Sequence, residues 1–286
     1  MKRRVDYILT GILVILVLPC ALMLLLDSRM SEIYRSIKNE TDYIAVKTSS
    51  GIAEMELEEY VIGATAAQIP AGYDPEAVKA QMIAVRTNLY RQIEENGKVE
   101  NEAYLTMTEL ERMGAAEKFL LAQRETDGQV LVWEDKPILA SFHACSAGST
   151  RDAQEVFQSE SYPYLVSKLC PSDEKSADAQ TTIQIDDSWA QMQVTARDSA
   201  GYVLQISLGN ETISGEEFRN LLGLPSANFE VSAGEDGTYL TVHGSGHGLG
   251  MSQYTAQQMA LAGKNYKEIL GYFYPGTELV LSLIHI

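Results

Sequence analysis

Four glycines alternate in the segment Gly244-Ser245-Gly246-His247-Gly248-Leu249-Gly250, which runs straight into Met251-Ser252-Gln253-Tyr254. Glycine at every second position admits left-handed backbone and lets the main chain approach a neighbour or a ligand that a Cβ would exclude. Tyr239 to His243 before it has strand character, and Ser252 to Ala262 after it reads as a helix stopped by Gly263. The chain must therefore pass from strand to helix through one tight turn, with the first N–H groups of the helix pointing into it. A nucleotide turn does not fit. The spacing is G-x-G-x-G-x-G, not G-x-G-x-x-G, and no P-loop lysine follows. Two readings remain: a ligand-facing turn that exposes His247 between glycines, or a plain strand-to-helix turn capped by Ser252.

A second constraint lies at the other end. Tyr7 to Leu26 is a run of twenty almost wholly apolar residues, preceded by Lys2, Arg3 and Arg4. That length matches the hydrocarbon core of a bilayer, and the basic residues belong on its cytoplasmic side. The run predicts a single-pass anchor over residues 1–26, a juxtamembrane stalk over 27–42, and an extracytoplasmic domain over 43–280. The alternative is a cleaved signal peptide, but the run exceeds an ordinary h-region and no A-x-A-like site follows. The whole 286-residue chain carries a net charge of −17; its first 26 residues carry +2, which leaves −19 for the rest. So acidic an exterior excludes nucleic acid and anionic lipid as natural partners.

The intervening pattern predicts an α+β fold. Tyr43–Lys47 and Ile52–Leu57 read as a hairpin around Ser49-Ser50-Gly51, and Glu58–Gln68 as a helix ended by Pro70. A long helix follows, capped by Asp74, opened by Pro75 and stopped at Gly97, with Val78, Met82, Val85 and Leu89 on its buried face. Thr106 to Glu125 is helical with a break near Gly114. Gln129–Trp133 and Ile138–Cys145 read as strands joined across Glu134-Asp135-Lys136-Pro137. Asp173 to Gln180 reads as an exposed polar loop. Further on come strands at Tyr202–Leu208, Phe229–Ser232 and Tyr239–His243. Ser214 and Glu217 form a capping box for a short helix ending near Gly223, and Tyr266–Phe273 is a last helix before Pro275-Gly276.

Several segments, in order, resemble the stage II sporulation protein D family of peptidoglycan-cleaving lytic transglycosylases. Gly246 to Tyr254 is similar to its signature G-H-G-x-G-M-S-Q-Y, and Ile269 to Thr277 to its closing I-L-x-x-Y-Y-P-G-T, with Phe273 for the first tyrosine. Glu76 to Thr87 resembles E-A-L-K-A-Q-A-V-A-A-R-T, His143 to Thr150 resembles H-x-x-S-G-G-x-T, and Tyr162-Pro163-Tyr164-Leu165 also fits. The likeness runs from about Glu58 to Thr277. It departs at one place: Ala66-Ala67-Gln68-Ile69-Pro70 stands where the family has A-A-E-M-P, so the position of the catalytic glutamate holds Gln68.

That resemblance implies a Gram-positive, spore-forming source and remodelling of peptidoglycan glycan strands during engulfment. The chemistry it implies needs one carboxyl to protonate the leaving glycosidic oxygen and then, as base, to help the muramic 6-hydroxyl attack C1. An amide does neither, so the resemblance allows a weakened enzyme, a non-catalytic glycan binder, or an activator of a cell-wall amidase as in the related amidase enhancers. Rescue by Asp74 or Glu76 is one option, but capping and first-turn charge account for both. The substrate surface expected from the resemblance gathers Arg86, His247, Ser252, Gln253 and Tyr254 around Gln68; for Arg86 a solvated helix face is the alternative. No cofactor is required. His143 and Cys145, two apart on one strand face, could bind zinc with Cys170, as metal-competent residues do in some relatives. The simpler expectation for an exported chain is a Cys145–Cys170 disulfide.

Overall fold

The computed structural model describes residues 43–48, 51–96, 99, 103–189, 191–234 and 236–282. The apolar run at 7–26, the stalk at 27–42 and the extreme C-terminus lie outside them. Among the described residues no helix is long and apolar enough to cross a membrane.

Strands β1 (Tyr43–Thr48) and β2 (Gly51–Glu56) pair antiparallel, with Tyr43 opposite Glu56. Helix α1 (Leu57–Gln68) follows directly and stops at Ile69, whose extended backbone (φ −126°) is what a following proline demands. Helix α2 (Pro75–Asn96) opens on Pro75, and Asp74 Oδ1 accepts from the Glu76 amide at 2.9 Å. Helices α3 (Met107–Arg112) and α4 (Ala116–Glu125) are separated by Gly114 in a left-handed conformation (φ 67°). Strand β3 (Gln129–Trp133) turns at Glu134-Asp135 into β4 (Lys136–Pro137). Only Phe142–His143 (β5) of the next expected strand is regular, because the chain leaves β3 after Ile138.

A short α5 (Ala153–Phe157) leads to a region with its own core. It contains β6 (Gln180–Ile185), β7 (Gln193–Arg197), β8 (Val203–Leu208), β9 (Glu211–Ser214), α6 (Gly215–Leu222), β10 (Phe229–Gly234) and β11 (Gly237–His243). Two antiparallel sheets, β10-β11-β6 and β7-β8-β9, enclose Val203, Ile206, Phe218, Phe229, Leu240 and Val242. The capping box of α6 is present in full, and Gly223 ends the helix at φ 63°. The chain then returns through β12 (Met251–Ser252), which pairs parallel with β5, to α7 (Gln253–Leu261), α8 (Tyr266–Phe273) and β13 (Glu278–Leu281), the partner of β3.

Helix α2 is the axle. Val78, Met82, Val85 and Leu89 face a core shared with α1, α3 and α4, as expected. The other side is buried too. Ala77, Ala80, Ile83 and Ala84 pack against Leu131 of β3, Ala256 of α7 and Ile269 of α8. The sequence pattern showed one apolar stripe because the second face is built of alanines, whose weak hydropathy hides a close helix approach.

Arg86 is caught between these layers. Its side chain has no exposed surface; Nε and Nη2 donate to Glu58 Oε1 and Oε2, each at 2.7 Å, and Nη1 donates to the Gln129 carbonyl at 3.2 Å. Neither expectation for Arg86, ligand binding or a solvated face, is what the fold does with it. It is a bidentate buried ion pair tying α2 to α1. Removing one partner of such a pair strands the other charge. Glu58→Ala is expected to cost about 3–5 kcal/mol in denaturant unfolding, and the double change Arg86→Met with Glu58→Leu far less.

Candidate functional site

The end of α1 and the start of α7 meet. Gln253 Nε2 donates to the Gln68 carbonyl at 2.7 Å and to Gln81 Oε1 at 3.2 Å, across 185 and 172 residues of sequence. A second link runs from the Asp74 amide to Gln257 Oε1 at 2.7 Å, and Lys118 Nζ donates to the Ala71 and Tyr73 carbonyls at 2.8 and 2.7 Å, holding the connecting loop. The A-A-Q-I-P turn and the M-S-Q-Y segment therefore lie against each other and frame one candidate cleft. Gln68, Tyr73 and Tyr254 are half-buried along it. Burial raises the Tyr73 pKa, and the neighbouring Tyr254 adds to that. Gln81 lies wholly buried beneath Gln253.

A carboxylate that the sequence reading left on an exposed loop anchors the second wall. Asp173 has no exposed surface. Its Oδ2 accepts from the Ser146 amide at 2.6 Å and the Ser146 hydroxyl at 2.7 Å. The Ser252 hydroxyl donates to the same carboxylate (2.8 and 2.9 Å to its two oxygens), and Thr255 Oγ1 donates to Oδ1 at 2.7 Å. Ser252 is also the N-cap of α7, accepting from the Thr255 amide at 3.2 Å, so the carboxylate sits at the positive end of that helix. Ser252, expected on the substrate surface, is thus fully buried, its hydroxyl given to Asp173 and to the helix cap. Nothing in the run Ser172-Asp173-Glu174-Lys175-Ser176 announces this; only the hydroxyls of Ser146 and Ser252, in two of the quoted segments, were a hint.

The glycine turn is packed, not open. A Cβ on Gly246 (φ 111°) would lie 2.5 Å from His143 Cβ, and one on Gly248 (φ 80°) would lie 2.6 Å from Tyr202 Cζ. Arg151, which sequence reasoning missed, bolts the turn to the β7–β8 region. Its amide donates to the Gly248 carbonyl at 2.8 Å. Its side chain pairs with Asp198 and Glu216, each at 2.6 Å, donates to the His247 carbonyl at 3.2 Å, and lies 4.7 Å over the Tyr202 ring.

Leu249 holds both histidines by one residue. His143 Nδ1 donates to its carbonyl at 3.1 Å, and its amide donates to His247 Nδ1 at 3.1 Å; the rings lie 5.8 Å apart. Burial, with the charge of His247, takes the His143 pKa down to about 3 against the pull of the Leu249 carbonyl. Burial also lowers His247, although Glu216 opposes it. His247 is half-buried and its charged surroundings are Glu216, Arg219 and Arg151, on the α6 side.

Cys145 and Cys170 are free buried thiols, so the expected disulfide is not formed. Cys145 is fixed by its backbone bridge to Ser245, and the Cys170 thiol points at the Lys168 carbonyl, 3.6 Å away. Burial and then Asp173 push the Cys170 thiol up to about 12, and burial raises Cys145 as well. Among the described residues no three His, Cys, Asp or Glu side chains gather as a metal set, so His143, Cys145 and Cys170 do not fit zinc.

Two measurements check this geometry. Asp173→Ala leaves the Ser146 amide and three hydroxyls without their acceptor and is expected to lower stability by about 3 kcal/mol or more; Asp173→Asn should lose less. His143 stays neutral when folded but binds a proton when unfolded below its ordinary pKa of 6.5. Its contribution to stability is therefore full above that pH and is lost as the pH falls towards 3. Between pH 6.5 and 5 the native chain should lose stability more steeply than His143→Gln, by up to about 1.4 kcal/mol per pH unit.

Comparison with known proteins converges on one family. A family model described as stage II sporulation protein matches residues 45–133, the span that holds α1, Gln68 and Arg86. The chain is 33% identical over 262 residues to stage II sporulation protein D of Bacillus subtilis (strain 168), covering 81% of this chain and 76% of that protein. It is 31% identical over 263 residues to the protein of the same name from Bacillus amyloliquefaciens, with 81% and 76% covered. It is also 26% identical over 281 residues to the amidase enhancer of Bacillus subtilis (strain 168), covering 74% of this chain and 39% of that relative. With 33% identity over 81% of its length to one such protein, the chain belongs to the stage II sporulation protein D family.

Proposed function

We propose that this protein binds peptidoglycan glycan strands in the cleft between α1 and α7, and that Gln68 leaves it with little or no lytic transglycosylase activity. A sporulation role at the cell wall follows from the family. The carrying observation is the 2.7 Å bond from Gln253 to the Gln68 carbonyl, which sets residue 68 against the M-S-Q-Y segment. A carboxyl there would supply acid and then base to the glycosidic bond; the Gln68 amide supplies neither.

The neighbouring carboxyls are engaged elsewhere. Asp74 caps α2. Burial pushes the Glu76 pKa up, but hydrogen bonds from Lys79 and the Tyr266 amide, with the charge of Lys79, hold it below its ordinary value. Asp173 is saturated by donors. All three are committed to contacts within the fold. In this reading the apolar segment 7–26 anchors the protein in the membrane, the domain faces the engulfment space, and no metal is needed. The match to an amidase enhancer favours a second reading, in which a strand-bound protein stimulates a cell-wall amidase.

The test incubates the full chain, in mild detergent, with denuded glycan strands and follows 1,6-anhydromuramyl ends by mass spectrometry. Gln68→Glu is expected to raise their yield by about 10²–10⁴-fold over the native chain. Native protein that releases them as fast as Gln68→Glu would end the proposal.

A further inference from the structure

The two-residue turn between β3 and β4 is made of Glu134 and Asp135, both in the left-handed region (φ 50° and 62°). Glycine or asparagine suits such a turn, and each L-residue held there costs about 1–2 kcal/mol. Beside it runs a groove of about 420 Å³ lined by Trp133, Tyr164, Glu134, Glu160, Lys136 and Ser161. The half-buried Trp133 that lines it is the end of a row of aromatic rings running back into the core. Trp133 lies 6.2 Å from Tyr164, Tyr164 lies 6.3 Å from Tyr162, and Tyr162 lies 5.3 Å from Phe157.

Each ring is positioned from behind. Gly276 (φ 79°) seats the indole, since a Cβ there would lie 3.1 Å from Trp133 Cζ3; this gives the Pro275-Gly276-Thr277 segment a function outside the cleft. The Tyr164 hydroxyl accepts from the Leu139 amide at 3.0 Å. The rim, by contrast, is uncommitted. The side chains of Glu134, Glu160 and Lys136 make no hydrogen bond or ion pair among the described residues.

We propose that this groove is a second carbohydrate site, one that takes a neutral N-acetylated oligosaccharide; the proposal rests on the glycan reading above. A pyranose offers an apolar C–H face to the half-buried Trp133 indole, which Tyr164 backs from within the core, and hydroxyl donors to the rim. Two carboxylates against one lysine, on a chain of net charge −17, exclude phosphate polymers and nucleic acid. A polyproline segment is the rival for an aromatic groove. It brings carbonyl acceptors and no backbone N–H, whereas ionised Glu134 and Glu160 only accept, so the rim matches a ligand rich in donors. The groove adds a handhold for a strand that also enters the cleft, and the coupling of two weak sites on one chain raises overall affinity without new contacts at either.

Trp133 reports on its own occupancy. The chain has two tryptophans, and Trp189→Phe leaves Trp133 as the sole indole. The full chain with that change, in mild detergent, is titrated with tetra-N-acetylchitotetraose and followed by indole emission and calorimetry. A saturable emission change is expected. Adding Glu134→Gln with Glu160→Gln, which disturbs no internal contact, should weaken it about tenfold, and Gln253→Ala should leave it in place. An emission that stays flat with the sugar, or rim variants that bind as the parent does, would overturn the groove, as would a proline-rich decapeptide that shifts the indole when the sugar does not. If calorimetric binding disappears with Gln253→Ala while the indole never responds, the groove falls and the cleft stands. If the indole responds and Gln253→Ala changes nothing in calorimetry, the cleft falls and the groove stands.

Discussion

Asp173 has no exposed surface, and no lysine or arginine pairs with it among the described residues. Burying a carboxylate costs several kcal/mol unless its lone pairs are satisfied. Here the compensation comes from one backbone N–H, three hydroxyls and the N-terminus of α7. Those donors come from the segment after β5, from the junction of β12 with α7, and from the first turn of that helix. The carboxylate can be satisfied only when all of them arrive together. Its burial therefore fixes where α7 begins, and with it the position of Gln253 one residue after the cap.

Helix α2 fixes the opposite wall. Its leucine–valine–methionine face binds α1, while its alanine face binds α7 and α8, so the two walls of the cleft share one rigid support. Arg86 and Glu58 lock the angle between α1 and α2 from within. A cleft built this way does not depend on loop conformation. The loop from Ile69 to Tyr73 is itself tied back by Lys118. The second region, β6 to β11, is joined to the glycine turn by Arg151, whose pair with Asp198 is buried and whose pair with Glu216 lies at the edge of solvent.

What could be read from the sequence follows from this construction. Local signals survived folding: Pro70 and Pro75, the cap at Ser252, the box at Ser214 and Glu217, and Gly114 and Gly223 are settled by backbone geometry within a turn or two. Arg86, Arg151 and Asp173 were not legible. Each is a charged side chain in an unremarkable local pattern, and each is held by partners 27 to 96 residues away. Composition assigns such residues to the surface, because burial of charge is rare and leaves no periodic trace. The strand expected over Ile138–Cys145 failed for a related reason. Its apolar run serves β4, a core crossing and β5 in turn, and hydropathy does not distinguish one strand from a chain that changes sheet.

The contact that builds the cleft involves the backbone of residue 68, not its side chain. Gln253 donates to the Gln68 carbonyl, an atom that every residue type presents. Helix α1 ends there because of Pro70, again without reference to the side chain at 68. The architecture of the cleft and the chemistry at its centre are therefore separable. A carboxylic acid can be exchanged for an amide of nearly equal shape while α1, α2 and α7 keep their mutual positions. In the proposed reading, a chain can keep the backbone that positions residue 68 and still lack the acid that cleavage requires, and the amide-to-carboxyl change at Gln68 is what would separate a surface that holds a glycan from one that cuts it.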